Sequence, residues 1–323
     1  MKKISPNDER IRYTGRWRVN ENQAVSTANG NYFEFSFAGE NAVIWFNIDD
    51  CKKPFPHIYI SVDNGAKIEV SLDRYIRISA DEGNHIVQVI LKSSVETQHR
   101  WFAPVEAKVC LTGIEADDFI ALPEDNRKVI EFIGDSITEG ISIDVGYVNY
   151  NKASYDMVYW DDSTAGYAWL TAKALNMRPV IMGYGCLGTT NRGAGNIPPV
   201  KESYPYYSDG FAMENTDADF IVINHGTNDR RADREVFMSA YYDFLESVRL
   251  RHKNAQIISL TPFCGELAKE IKEVVDKYNT EKNDDVFYID STGWISPEPL
   301  HPLRDGHKTV SKNLSKIIKE KFL

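Results

Sequence analysis

Apolar and polar residues alternate along the first part of the chain. The alternation is strict from Phe33 to Phe37 and from Ile58 to Val62. The second run leads through Asp63-Asn64-Gly65 into Ile68 to Val70, an arrangement typical of a β-hairpin. Further β-rich runs continue the rhythm with no convincing helix among them: Ala42 to Ile48, Tyr75 to Ile78, His85 to Leu91 and Val109 to Leu111. The pattern predicts an all-β sandwich of the jelly-roll type.

The alternation of apolar and polar residues ends at the segment Leu122 to Asn126. Five short apolar runs lack alternation, as strands buried on both faces do: Val129 to Ile133, Val180 to Met182, Phe220 to Ile223, Ile257 to Leu260 and Val286 to Ile289. Helical patterns lie between and after them: Ala165 to Leu175, Arg234 to Leu250, Leu267 to Tyr278 and Gly306 to Phe322. This alternation predicts an α/β domain with a five-stranded parallel sheet between two layers of helices. We therefore divide the chain into a β domain, residues 1–124, and an α/β domain, residues 125–323.

Polar or glycine-rich segments follow four of the predicted strands. They are Gly134 to Ile137, Gly185 to Thr190, Gly226 to Asp229 and the pair His301-Pro302. Taken singly, each has an ordinary explanation as a helix cap, a tight turn or a structural histidine. Because the carboxyl ends of parallel strands share one edge of the sheet, we expect the four segments to lie together there.

In this order the four segments resemble the blocks of the SGNH/GDSL hydrolase superfamily. Gly134 to Ile137 matches the first block with Ile in place of the final Leu, and Gly188 stands where the second-block glycine is expected. Gly226 to Asp229 matches the third block and His301-Pro302 the last. The resemblance covers essentially Lys128 to Leu323. With the β domain in front, the whole chain is similar to the two-domain carbohydrate esterases of family 2.

The resemblance implies a serine esterase of the acyl-enzyme type. Ser136 would be the nucleophile and His301 its base, and activity should then fall as the pH drops through roughly 6 to 7. The oxyanion hole would consist of the backbone N–H groups of Ser136 and Gly188 and the side-chain amide of Asn228. The superfamily usually has Asp three residues before the histidine, where this chain has Glu298. A triad with Glu298 and a dyad with a backbone carbonyl on the imidazole both remain open.

Two aromatic segments follow strand ends and should overhang the catalytic face. The first, Ile141 to Thr164, contains Tyr147, Tyr150, Tyr155, Tyr159 and Trp160, and the second, Asn191 to Asn215, contains Tyr204, Tyr206, Tyr207 and Phe211. Such rings offer flat apolar faces and hydroxyl donors suited to a sugar. We single out Tyr159, Trp160 and Tyr206 as candidate substrate-binding residues. The alternative for each ring is packing of its loop onto the body of the protein.

Composition excludes several other classes. The 323 residues carry a net charge of −10, which disfavours nucleic acid and anionic membranes as partners. Four scattered cysteines form no metal-ligand pattern, and no dinucleotide fingerprint is present, so we expect no metal and no cofactor. No run approaches the roughly 18 apolar residues of a spanning helix, and no signal peptide is visible. We therefore expect a soluble, cytoplasmic protein.

The expected partner is an acetylated oligosaccharide or a similar small ester. Two alternatives remain: a lipid or thioester acyl hydrolase, and a carbohydrate-binding protein whose hydrolase domain is inert. The sequence leaves the oligomeric state open.

Overall fold

A nine-stranded antiparallel sheet forms the first domain in the computed structural model, which describes residues 1–145, 157–214 and 217–323. Its strands are β1 (Lys2–Ile4), β2 (Arg12–Thr14), β3 (Arg18–Val19), β4 (Ala24–Ser26), β5 (Tyr32–Phe46), β6 (His57–Val62), β7 (Ile68–Ser71), β8 (Tyr75–Ser93) and β9 (Val109–Ile120). The order is β3-β4-β9-β5-β8-β6-β7, with β1 on β9 and β2 on β5. The long strands change partners along their length, which gives the jelly-roll-like arrangement that the alternation predicts.

Strand β5 joins two runs that the sequence pattern separates. Its core residues have odd numbers at first and even numbers later: Phe33, Phe35, Phe37, Ala42, Ile44 and Phe46. The register shifts between Gly39 and Asn41, and this irregularity turns the later side chains back to the same core. Strand β8 likewise unites Tyr75 to Ile78 with His85 to Leu91. The division of each strand into two was therefore wrong.

The second domain contains the predicted five-stranded parallel sheet. Its strands are β10 (Val129–Gly134), β11 (Arg178–Gly183), β14 (Phe220–Asn224), β15 (Gln256–Leu260) and β16 (Phe287–Ile289), in the order β11-β10-β14-β15-β16. The small ribbon of β12 (Tyr206–Ser208) and β13 (Phe211–Ala212) stands apart from this sheet. The described helices are α1 (Ser136–Glu139), α2 (Met157–Trp160), α3 (Tyr167–Ala174), α4 (Val200–Ser203), α5 (Arg234–Arg251), α6 (Ala268–Lys282) and α7 (Arg304–Phe322).

Helices cover both faces of the parallel sheet. Successive residues of β10 point to opposite sides, and each side has its own core. Phe132 packs in a cluster with residues of α3 and α7, among them Leu314. Ile133 packs in a cluster with residues of α5 and α6, among them Phe237 and Ile271. The three-layer α/β/α arrangement is confirmed, and burial on both faces explains why these strands lack alternation.

Two helices begin two residues away from the positions that the sequence pattern predicts. Ser163–Ala165 form a separate 3-10 turn and Gly166 is extended, so α3 begins at Tyr167 rather than at Ala165. The last helix begins at Arg304, before Gly306. The connection between β9 and β10 runs from residue 121 to residue 128, and our boundary between residues 124 and 125 remains a proposal. No helix in the described part of the chain is both long and apolar enough to cross a bilayer.

Candidate active site

Ser136 is the first residue of α1, two residues after the end of strand β10, which lies between β11 and β14 in the sheet. Asp135 caps the helix, and its carboxylate accepts the N–H of Ile137 at 2.9 Å. Gly140 ends the helix with φ 89°, a left-handed conformation that glycine adopts without strain. Only 7% of Ser136 is exposed. A strand, a capped turn and a short helix thus fix the serine at the carboxyl edge of the sheet.

His301 lies in the loop between β16 and α7 and faces Ser136. Its Nε2 is 2.8 Å from Oγ of Ser136. Burial lowers the pKa of His301 to about 4. At neutral pH the imidazole is therefore uncharged, and a ring with its proton on Nδ1 can accept the hydroxyl proton through Nε2. The arrangement is that of a nucleophile with its base.

The loop that carries His301, residues 290–303, is called the histidine loop. Arg304, the first residue of α7, fixes its position. The guanidinium binds the carboxylate of Asp144 through two nitrogens and that of Asp162 at 3.3 Å. Oδ2 of Asp162 also accepts the hydroxyl of Tyr59 at 3.0 Å. Since Tyr59 belongs to β6, the β domain contributes to the position of this loop.

The loop that follows β11, residues 184–193, is called the Gly188 loop. Its fold depends on the buried Asp229, whose carboxylate accepts the N–H groups of Thr189 at 3.0 Å and Thr190 at 2.8 Å. A Cβ on Gly188 would come within 2.7 Å of Oδ1 of Asp229, so only glycine fits. The N–H of Gly188 donates to the carbonyl of Asn191 at 3.1 Å. Its assignment to the oxyanion hole remains a prediction, and it requires the substrate oxygen to take over this donor.

The side-chain amide of Asn228 lies between Asp135, which precedes α1, and the Gly188 loop. Its Nδ2 is 3.1 Å from the carbonyl of Leu187 and 3.4 Å from Oδ2 of Asp135. The side chain is partly exposed. Hydrogen bonds of Asn228 and Asp229 thus join the three segments that carry the proposed oxyanion donors.

Glu298 is exposed, and its peptide bond to Pro299 is cis. Its backbone N–H and C=O both contact the hydroxyl of Ser296. Within the residues that the structure describes, no hydrogen bond joins the Glu298 carboxylate to His301. The orienting role of Glu298 stays a prediction.

His307 occupies a different environment from His301. Its Nδ1 accepts the N–H of Tyr167 at 3.0 Å, which caps α3 from outside the helix. Its ring stacks on that of Tyr167 with an interplanar angle of 10°. Burial lowers the pKa of His307 to about 3. This histidine therefore has a packing and capping role.

Trp160 and Tyr159 end the short helix α2. The carbonyl of Trp160 accepts the N–H of Asp144, the residue that binds Arg304, so Trp160 is linked to the histidine loop. The Trp160 side chain is partly exposed. Tyr159 is 57% exposed, and its ring contacts that of His57 edge to face at 4.7 Å.

Tyr206 lies on the ribbon β12–β13 rather than on a loop. Its ring is 6.5 Å from that of Trp101, and its carbonyl accepts from Arg16 of the β domain at 2.7 Å. Tyr147, Tyr150 and Tyr155 lie outside the described residues. Of the three candidates for substrate binding, Trp160 is linked to the histidine loop through its backbone carbonyl, Asp144 and Arg304.

Two residues that shape the site were not singled out from the sequence. Asp229 was part of the third block, but a carboxylate after a strand most often serves a local turn. Arg304 stands three residues after His301, and that proximity was the available signal. Among the described residues, no group of three or more His, Cys, Asp or Glu side chains is placed to hold a metal ion.

Ser136 and His301 are hydrogen-bonded at the carboxyl edge of a parallel sheet that helices cover on both faces, an arrangement that could serve a nucleophile and its base. Residues 132–309 match the GDSL-like Lipase/Acylhydrolase family. The chain belongs to this family, whose members are carboxylic ester hydrolases.

One curated relative matches a large part of the chain. Cellulase/esterase CelE of Acetivibrio thermocellus is 30% identical over 228 residues, which cover 63% of this chain and 27% of that protein. This chain thus spans about a quarter of its curated relative.

Solved structures share the whole two-domain fold. A family two carbohydrate esterase from Cellvibrio japonicus matches with TM-score 0.83 and 19% identity over 99% of this chain and 97% of that one. One from Clostridium thermocellum, in complex with cellohexaose, matches with TM-score 0.79 and 23% identity over 96% and 98%. The acetyl xylan esterase Est2A from Butyrivibrio proteoclasticus matches with TM-score 0.81 and 20% identity over 99% and 98%. The fold is therefore that of the family two carbohydrate esterases.

Proposed function

We propose that this protein is a serine esterase that removes acetyl groups from O-acetylated saccharides. The observation that carries the proposal is the distance of 2.8 Å between Oγ of Ser136 and Nε2 of His301, in a chain of the acylhydrolase family. A serine hydroxyl is a weak nucleophile by itself, and an adjacent neutral imidazole activates it.

The reaction proceeds by two acyl transfers. Nε2 of His301 takes the proton of Ser136 as Oγ attacks the ester carbonyl. The N–H groups of Ser136 and Gly188 and the amide of Asn228 donate to the oxyanion. The carbon–oxygen bond to the sugar then breaks, and the leaving alcohol receives the proton from Nε2. Water repeats the sequence on the acyl-enzyme, with His301 again as the base, and releases acetate.

The saccharide part of the proposal rests on two supports. The solved structures with this two-domain fold include carbohydrate esterases, one of them in complex with cellohexaose and another named as an acetyl xylan esterase. Trp160 is partly exposed, and its backbone carbonyl is hydrogen-bonded to Asp144, the partner of Arg304; its indole is an aromatic face of the kind that sugar rings stack against. Tyr159 and Tyr206 remain further candidates for substrate binding.

The test is turnover of acetylated xylo-oligosaccharides and of aryl esters with acetyl and octanoyl groups. We expect acetate release from the saccharide and a strong preference for acetyl over octanoyl. Ser136→Ala should reduce kcat by several orders of magnitude while the far-ultraviolet circular dichroism spectrum stays unchanged. An active Ser136→Ala variant would refute the proposed nucleophile.

The family name also covers lipases, so long-chain esters are the second candidate substrates. Efficient cleavage of octanoyl esters would favour a lipid or thioester hydrolase. Binding of saccharides without any ester turnover would favour the carbohydrate-binding alternative.

A further inference from the structure

The nucleophile helix α1 is only four residues long, Ser136–Glu139. One turn of helix has little stability of its own, because the first hydrogen bonds fix many dihedral angles for small gain. All four residues are buried. Contacts from the surrounding protein must therefore set the position of Ser136.

The last residue of α1, Glu139, receives such contacts from both domains. Its Oε1 accepts from Nη1 of Arg100 and from Nδ2 of Asn29 at 2.9 Å. Its Oε2 accepts the backbone N–H of Gly185 at 2.7 Å. Arg100 and Asn29 belong to the β domain, whereas Gly185 belongs to the Gly188 loop. One carboxylate thus links the nucleophile helix, the Gly188 loop and the β domain.

Besides its link through Glu139, Arg100 also contacts the Gly188 loop directly. Its guanidinium lies over the ring of Tyr184, 5.0 Å from the centroid. The hydroxyl of Tyr184 is 3.0 Å from Oγ1 of Thr27, again in the β domain. The backbone N–H of Arg100 donates to the carbonyl of Gly195 at 2.9 Å, just beyond the loop. The loop is therefore fixed at both of its ends by the β domain.

Stability alone is a poor explanation for the Arg100–Glu139 pair. Both side chains have 0% exposure, and removing two charges from water largely offsets their attraction. A pair of matched apolar residues would stabilise the domain contact at least as well. The ion pair instead supplies directional hydrogen bonds, which fix the angle of α1 and the distance of the Gly188 loop from Ser136.

We propose that Arg100 is a positioning residue for catalysis: through Glu139 it holds Ser136 and the Gly188 loop in the reactive arrangement. The β domain is accordingly part of the esterase site rather than a separate module. This inference rests on the proposed function, because the arrangement matters only if Ser136 is the nucleophile.

A second buried ion pair across the domains provides the matched control. Arg16 of the β domain lies 3.6 Å from Glu131 of β10, and the two side chains are 2% and 1% exposed. Arg16 also donates to the carbonyls of Tyr204 and Tyr206 at 2.7 Å. This pair binds the domains together, and among the described residues no hydrogen bond or ion pair joins Arg16 or Glu131 to α1 or to the Gly188 loop.

The experiment compares Arg100→Gln, Arg100→Lys and Arg16→Gln with the wild type on a small aryl acetate. For each protein we would measure Tm, kcat, KM and the rate of inactivation by a serine-reactive phosphonate. Misplacing reacting groups by about 1 Å can cost about 100-fold in rate. We therefore expect Arg100→Gln to lose about 100-fold in kcat and in phosphonate reactivity with little change in KM. Arg100→Lys should recover part of the loss, and Arg16→Gln should lower Tm with kcat within about twofold of the wild type.

Equal kcat for Arg100→Gln and Arg16→Gln at equal loss of Tm would overturn the inference. If Arg100→Gln does not fold, Asn29→Ala removes a neutral donor from the same carboxylate oxygen. It should lower kcat about 3- to 10-fold, on the scale of one hydrogen bond, and an unchanged kcat would count against the inference. A wild type without ester turnover or phosphonate reactivity would instead refute the proposed function itself.

Discussion

The acid limit of activity distinguishes the half-buried His301 of this structure from a fully solvated histidine. An unperturbed imidazole has a pKa near 6.5, which is why the sequence alone predicts a loss of activity at about pH 6 to 7. Burial lowers the pKa of His301 to about 4, because the charged form loses its hydration. Only the neutral ring can accept the proton of Ser136, so kcat/KM should persist to lower pH.

The difference is largest where the two cases leave different fractions of neutral imidazole. At pH 5.5, a pKa of 4 leaves roughly 97% of the rings neutral, whereas a pKa of 6.5 leaves only about 9%. The ratio is about tenfold in kcat/KM.

The assay is release of acetate from an aryl acetate, quantified by chromatography between about pH 4 and 8 because nitrophenol colour itself depends on pH. Circular dichroism at each pH and return to neutral pH control for unfolding. Asp135 needs its own control, since burial raises the pKa of this carboxyl to about 7. Asp135→Asn keeps a capping side chain without a titrating proton. Half-loss of kcat/KM at pH 6 to 7 in both the wild type and Asp135→Asn, with both proteins folded, would refute the reasoning.

Three further substitutions test the residue assignments. His301→Ala should abolish turnover about as fully as Ser136→Ala, whereas His307→Ala should chiefly lower Tm; the opposite pattern in kcat would exchange their roles. Glu298→Gln should cost less than tenfold in kcat, because an exposed carboxylate adds little to the orientation of the imidazole; a loss equal to that of Ser136→Ala would favour a full triad. Trp160→Ala should weaken kcat/KM for acetylated saccharides more than for an aryl acetate, and equal effects on both would assign Trp160 to packing.

Local pattern determined much of this protein. Strands of the first domain alternate with a period of two because one face is buried, whereas strands of the parallel sheet lack alternation because both faces are buried. The order of apolar and polar residues therefore predicts the burial of each strand. The blocks around Ser136, Gly188, Asn228 and His301 could be found because, in this order, they resemble those of the SGNH/GDSL superfamily. Each also follows a predicted strand, and parallel strands bring their carboxyl ends to one edge. The pairing of Ser136 with His301 at 2.8 Å is consistent with that prediction.

Tertiary structure decided what depends on distant residues. Strand β5 is continuous because an irregular register near Gly39 keeps both halves on one core, and partner strands set that register. Arg100 meets Glu139 across the two domains, and no periodicity in either segment signals the contact. The lowered pKa of His301 comes from the residues that surround it in space. Burial and long-range hydrogen bonds arise only when separate segments pack together. Local sequence could therefore indicate candidate reacting groups, but not the residues that position them and shift their pKa values.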